Sequence, residues 1–121
     1  MALILFVDDN RETLELLELA TRLVGHQAIS SFTVEQGLAA TLARHPDLVF
    51  VDFNLASSSA EQFILKLKQE ASVSSIPVLV LSAGITDEQA DQVITAGAKN
   101  CLQKPLSLDD LAHTITWYTR P

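Results

Sequence analysis

Residues 3–7, LILFV, are apolar throughout and stop at two acids, Asp8 and Asp9; residues 48–51, LVFV, stop at Asp52, and residues 78–81, VLVL, stop at Ser82. Short runs without polar alternation fit strands covered on both faces, as in a parallel sheet lined by helices. Residues 27–32 and 100–103 read as two further strands, the second weaker and ending at Lys104-Pro105. Between the runs the apolar spacing turns helical. Leu14, Leu17, Ala20, Leu23 and Val24 follow Asn10, a helix-capping residue, and end at Gly25. Thr33 with Gln36, and Thr86 with Gln89, have capping-box spacing for helices reaching about Arg44 and Gly97; His45-Pro46 breaks the first of these. Ser59 with Gln62 starts a helix carrying Phe63, Ile64 and Leu67 on one side, and Ser107 caps a last helix to about Tyr118. Five strands alternating with five helices predict a doubly wound α/β fold.

Composition narrows the class. A chain of 121 residues, nearly half of them apolar, with four Gly, four Pro and no repeat or linker tract, fits one domain over residues 1–121. Fifteen acids against eight bases give a net charge of −7 with no basic stripe, which argues against direct contact with nucleic acid or an anionic membrane. The first apolar run is too short for a signal peptide or a membrane span and has no basic segment before it. Cys101 is the only cysteine, so no internal disulfide can form, and the cytoplasm is the expected compartment.

The polar residues at the strand ends carry the chemistry. In an open α/β sheet, ligands bind at the carboxyl ends of the strands. Asp8, Asp9, Asp52, Ser82 and Lys104 all fall at that edge, supplied by four strands. Three crowded carboxylates repel one another unless a cation sits among them, and Mg²⁺, an oxygen-seeking ion, suits such a site. Asp52 is the candidate nucleophile, forming an acyl phosphate, with Lys104 offsetting charge on the phosphoryl group and Ser82 donating to a phosphate oxygen. The small residues 56–60 after Asp52 leave room for a phosphoryl donor.

This set, Asp8-Asp9, Asp52, Ser82-Ala83 and Lys104-Pro105 in order over about residues 2–119, resembles the response regulator receiver domain of two-component signalling. The resemblance implies a flavodoxin-like sheet of order 2-1-3-4-5. It implies phosphorylation of Asp52 by a histidine kinase or histidine phosphotransfer protein, with Mg²⁺ held by Asp9, Asp52 and the backbone carbonyl of Asn54, and with Asp8 acting mainly through water. It further implies that Ser82 and Lys104 read the phosphate and shift the surface of helix 4, strand 5 and helix 5 toward a downstream protein, and that Lys104-Pro105 is cis. On this reading the chain is no enzyme beyond its own phosphorylation from small donors and its own dephosphorylation.

The sequence also departs from the family pattern. Ala56 and Ala60 stand where Pro and Gly are usual, Val34 where a loop Gly is frequent, and Cys101 where Tyr or Phe normally reports the motion of the Ser or Thr. Gly84, two residues past Ser82, has no side chain to block water, so a long-lived phosphoryl group is not expected. Cys101 reads as a small packed residue, His26, His45 and His113 as surface or satisfied groups, and Trp117 and Tyr118 as anchors of the last helix, with a partner patch as the alternative and room for one of the two rings to be exposed. Asp87, Glu88 and Asp91 read as a solvated face. Two rival functions remain: a pseudo-receiver that binds partners without taking phosphate, and a haloacid-dehalogenase-like phosphatase, which Asn54 opposes because it cannot act as the acid two residues after the nucleophile.

Overall fold

The computed structural model describes residues 1–55 and 59–120. Its strands are β1 (Leu3–Val7), β2 (Gln27–Ser31), β3 (Leu48–Asp52), β4 (Val78–Ser82) and β5 (Asn100–Gln103), and its helices α1 (Arg11–Leu23), α2 (Val34–Arg44), α3 (Ala60–Gln69), α4 (Asp87–Ala96) and α5 (Leu108–Thr119). The strands form one parallel sheet in the order β2-β1-β3-β4-β5.

Alternate residues of the central strands feed two separate cores. Leu5, Val7, Val49, Val51, Val78 and Val80 pack with Phe63, Ile64 and Leu67 of α3 and with Val34 and Val93. Ile4, Phe6, Leu48, Phe50, Leu79 and Leu81 turn the other way, onto Leu14, Leu111 and Ile115. Phe6 and Phe50 stack there with ring centroids 5.2 Å apart. This two-sided burial is why the strands carry no polar alternation.

The caps fall where the side chains predict them. Asn10, Thr33, Ser59, Thr86 and Ser107 each accept a hydrogen bond from the backbone N–H three residues on. Thr86 and Gln89 complete a reciprocal capping box, but the Gln36 side chain accepts from the Phe32 amide instead of that of Thr33. His45 ends α2 in the left-handed region at φ 47°.

Packing settles two points that helical spacing leaves open. Leu23 shares the helical spacing of the buried side of α1, yet it is 68% exposed, because α1 carries leucines on two opposite faces and the spacing does not say which one packs. Of the aromatic pair in α5, Tyr118 packs against the second core while Trp117 is 57% exposed, with the Arg120 guanidinium 3.6 Å from its ring centroid. Residue 56, with its departure from the usual proline, lies outside the described residues.

Gly37 lets α2 lie close on the sheet. A Cβ there would sit 2.9 Å from Val7 Cγ2 and 3.0 Å from Phe63 Cε1. The β-branched Val7 has little rotamer freedom with which to yield. Gly37→Val is therefore expected to destabilise the fold by about 1–3 kcal/mol, read as a lower midpoint at unchanged slope in urea unfolding.

Candidate functional site

Each strand that reaches the carboxyl edge delivers a polar side chain, and backbone hydrogen bonds fix where it lands. The Asp8 amide donates to the Ser31 carbonyl at 3.0 Å, which carries the β1–β2 pairing one residue beyond the strand. The Phe53 amide donates to Leu81 O at 2.8 Å and the Lys104 amide to Ser82 O at 2.7 Å, holding the ends of β3 and β5 against β4. The Lys104-Pro105 bond is cis.

Ninety-six residues apart in sequence, Lys104 and Asp8 meet with Nζ 2.9 Å from Oδ2. The same ammonium lies 3.0 Å from Asp52 Oδ1. Asp8 is only 3% exposed, and its Oδ1 accepts from the Asn10 amide at 2.9 Å, so both of its oxygens are engaged. That contact ties the start of α1 to the acidic cluster. Sequence reading took Asn10 only as a cap; its place directly after the acid pair was the available signal. Ser82, 4% exposed, ends β4 beside the group. Asn54 is exposed, and its backbone hydrogen-bonds Asp52.

Oxygens of Asp8, Asp9 and Asp52 all lie within 4.8 Å of one another. Asp9 is the exposed member, and the other two are buried. An all-carboxylate set at this spacing fits a small hard cation that keeps some of its waters, such as Mg²⁺, and offers no nitrogen or sulfur for a softer metal. The side chains of Asp8, Asp9, Asp52 and Lys104 therefore meet at this edge, with Asn54 exposed beside Asp52.

Burial pushes the Asp52 carboxyl above its ordinary value of 3.8, against the opposing hydrogen bond from Lys104, and the charge of Asp8 raises it further. Burial alone would lower Lys104, but its hydrogen bonds to Asp8 and Asp52 carry it above the ordinary 10.5. The ammonium thus remains charged while incompletely relieving the carboxylate beside it. The consequence for stability has a definite sign. Below the ordinary value Asp52 is protonated whether folded or not and contributes nothing; as pH rises through the elevated value, the native state must ionise a group it holds less favourably, and stability falls. Asp52→Asn is therefore expected to raise the melting temperature by a few degrees at neutral pH in magnesium-free buffer. The gain should shrink in acid and in saturating Mg²⁺, as scanning calorimetry would record.

The other residues singled out in the sequence are more ordinary. Cys101 is partly buried against the core of β1, β3 and α3, and burial pushes its thiol pKa up, as expected for a packing residue. The space around Gly84 is open, with nothing within 4 Å of where a Cβ would stand. Asp87, Glu88 and Asp91 are exposed on α4. His26 accepts the Ala2 amide on Nδ1 at 2.9 Å and is thereby satisfied.

The response regulator receiver domain family matches residues 4–116. Among curated proteins, the chain is 30% identical over 117 residues to the protein PilH of Pseudomonas aeruginosa, covering 95% of each. It is 28% identical over 108 residues to the phosphate regulon transcriptional regulatory protein PhoB of the same organism, covering 89% of this chain and 47% of that one. The chain thus spans about half the length of such transcriptional regulators. Among solved structures, the chemotaxis protein CheY4 of Vibrio cholerae superposes with a TM-score of 0.92 over 98% of both chains at 20% identity, which speaks for the fold. No helix among the described residues is long and apolar enough to cross a membrane.

Proposed function

The chain belongs to the response regulator receiver domain family, and from that premise we propose that residues 1–121 form a single receiver unit, phosphorylated on Asp52 by a histidine kinase or a histidine phosphotransfer protein. The observation that carries this reading is the convergence of Asp8, Asp9, Asp52 and Lys104 at one sheet edge, with the Lys104 ammonium touching the carboxylates of Asp8 and Asp52.

An Asp52 oxygen attacks phosphorus, a P–O bond forms as the donor's P–N bond breaks, and the imidazole departs with the bonding electrons. Bound Mg²⁺ would supply positive charge to the phosphoryl oxygens. Asp9 and Asp52, with the Asn54 carbonyl, are assigned to hold it. Asp8 is assigned an indirect role, since both of its oxygens are already engaged. Lys104 is placed to leave Asp52 for a phosphoryl oxygen, and Ser82 to donate to another. Dephosphorylation reverses the bond change, with water attacking phosphorus and the carboxylate leaving. The space beside Gly84 is open, which supports a phosphoryl lifetime that is not unusually long.

The proposed output is a change in the surface of α4, β5 and α5 that alters binding to a downstream protein. Cys101 in β5 replaces the aromatic ring usual in the family, and on this reading it transmits the movement of Ser82 less strongly. The pseudo-receiver reading rests on that same substitution. Beryllofluoride with Mg²⁺, followed by amide NMR, separates the two. Shifts at residues 52–55 and 82–85 that spread to α4 and β5 support a working receiver; shifts confined to the acidic residues leave a site uncoupled from its surface; no shifts at all sink the proposal.

A further inference from the structure

We propose that the cleft at the amino end of β2, between the last turns of α1 and α2, binds a phosphate dianion, either free or as the end group of a small phosphorylated molecule. The cleft has a volume of about 290 Å³, and its lining includes Arg22, His26, Arg44 and residues 27–29 of the edge strand. The whole chain has only eight lysines and arginines and three histidines. Two of the former and one of the latter meet here, at the end of the sheet opposite Asp52. A basic residue in the last turn of a helix suits the helix dipole, which accounts for Arg22 and Arg44 one at a time. It does not account for their convergence, because α1 and α2 pack on opposite faces of the sheet and both arginines still line one cleft.

The donors are available to an anion. Arg44 is exposed and its side chain makes no hydrogen bond or ion pair among the described residues. The Arg22 guanidinium has, among the described residues, only a long contact of 3.7 Å with Glu18, and 61% of its side chain is in water. His26 accepts the Ala2 amide on Nδ1, so its neutral ring carries the proton on Nε2 and donates from there. The Gln27 amide donates to the Ala2 carbonyl, which turns Gln27 and Ile29 toward β1 and leaves the Ala28 N–H on the open edge of the sheet. Asp47, on the neighbouring surface past His26, is not part of the lining and has one oxygen held by the Leu3 amide at 2.8 Å. Two fixed positive charges call for a dianion, and the paired N–H donors of a guanidinium match phosphate oxygens. The net charge of −7 opposes any anion, so binding is expected to be weak, with a dissociation constant on the order of 1 mM at low salt.

Titration of the isotope-labelled chain with inorganic phosphate, and separately with glycerol phosphate, tests the site by NMR in magnesium-free, low-salt buffer at neutral pH. Saturable shifts are expected at the amides of residues 26–29 and at the side chains of Arg22 and Arg44. Tighter binding of the ester identifies an end group as the ligand; equal or tighter binding of inorganic phosphate identifies the free ion. Arg22→Gln and Arg44→Gln should each weaken binding about tenfold, as loss of one exposed charge-assisted contact implies. Lys66→Gln removes the same charge from an exposed position on α3 and should leave the affinity unchanged. Absence of saturable shifts up to about 20 mM of either anion, shifts that do not include residues 26–29, full affinity in either arginine variant, or an equal loss in Lys66→Gln would each overturn the proposal. Circular dichroism guards against unfolding of the variants. Phosphorylation of Arg44→Gln by acetyl phosphate with Mg²⁺ is read separately and should match the wild type, so failure of this cleft and failure of the phosphoacceptor reading are distinct results.

Discussion

Acetyl phosphate with Mg²⁺ is expected to add the mass of one phosphoryl group to the wild-type chain and nothing to Asp52→Asn. Asp52 is the buried last residue of β3, with an oxygen 3.0 Å from a lysine ammonium, shared with Asp8, that can follow the charge onto phosphate. Asp8 is buried too, but its second oxygen is committed to the Asn10 amide. Asn at position 52 keeps the shape and removes the nucleophile. Asp9→Asn makes the informative contrast. It leaves the nucleophile in place and withdraws a candidate ligand of the cation, so labelling should survive but slow by about a hundredfold, with partial recovery at higher Mg²⁺. Intact mass against time distinguishes these outcomes. Label on Asp52→Asn would place the acceptor elsewhere, and an Asp9→Asn rate equal to wild type would remove Asp9 from the metal site.

The second large effect concerns stability. Lys104→Met should lower stability by about 2–3 kcal/mol in magnesium-free buffer, because it strands the buried carboxylates of Asp8 and Asp52 with no cation between them. The lysine side chain is 24% exposed, so water screens part of the loss and the figure falls below that for a fully buried pair. Two rescues are expected, and they separate charge from packing. Saturating Mg²⁺ should restore most of the melting temperature, since the ion substitutes positive charge for the ammonium. Asp52→Asn in the Lys104→Met background should restore part of it without metal. If neither rescues, the loss comes from packing of the lysine stem, and the electrostatic account of this site is wrong.

The sequence made the sheet edge legible because its strands are short, apolar and terminated by charge. In an alternating α/β chain each terminal residue must then land on one side, which brought Asp8, Asp9, Asp52, Ser82 and Lys104 together before any coordinates. The caps were legible for a similar reason: a hydroxyl or amide three residues ahead of a free N–H acts locally. What failed was longer-ranged or degenerate. The leucines of α1 satisfy helical spacing on two faces, and spacing alone does not say that Leu14 packs while Leu23 is exposed. Gln36 has two amides within reach, those of Phe32 and Thr33, and spacing alone does not choose between them. Trp117 and Tyr118 are neighbours that a helix must aim in different directions, and only packing decides which one goes in. The contact of Lys104 with Asp8 as well as Asp52 also lay beyond sequence, because it depends on how far a flexible side chain extends once β5 is seated.

Trp117 is the only tryptophan in the chain, and it sits on α5 with more than half its surface in water. Its indole therefore serves as a built-in optical reporter of one helix. Emission should be red-shifted in the free chain, accessible to a collisional quencher such as iodide, and should move to shorter wavelength when another molecule covers α5. A titration followed in a fluorimeter would thus locate binding on that helix without a label, while ligands that settle only at the acidic edge would leave the spectrum nearly unchanged.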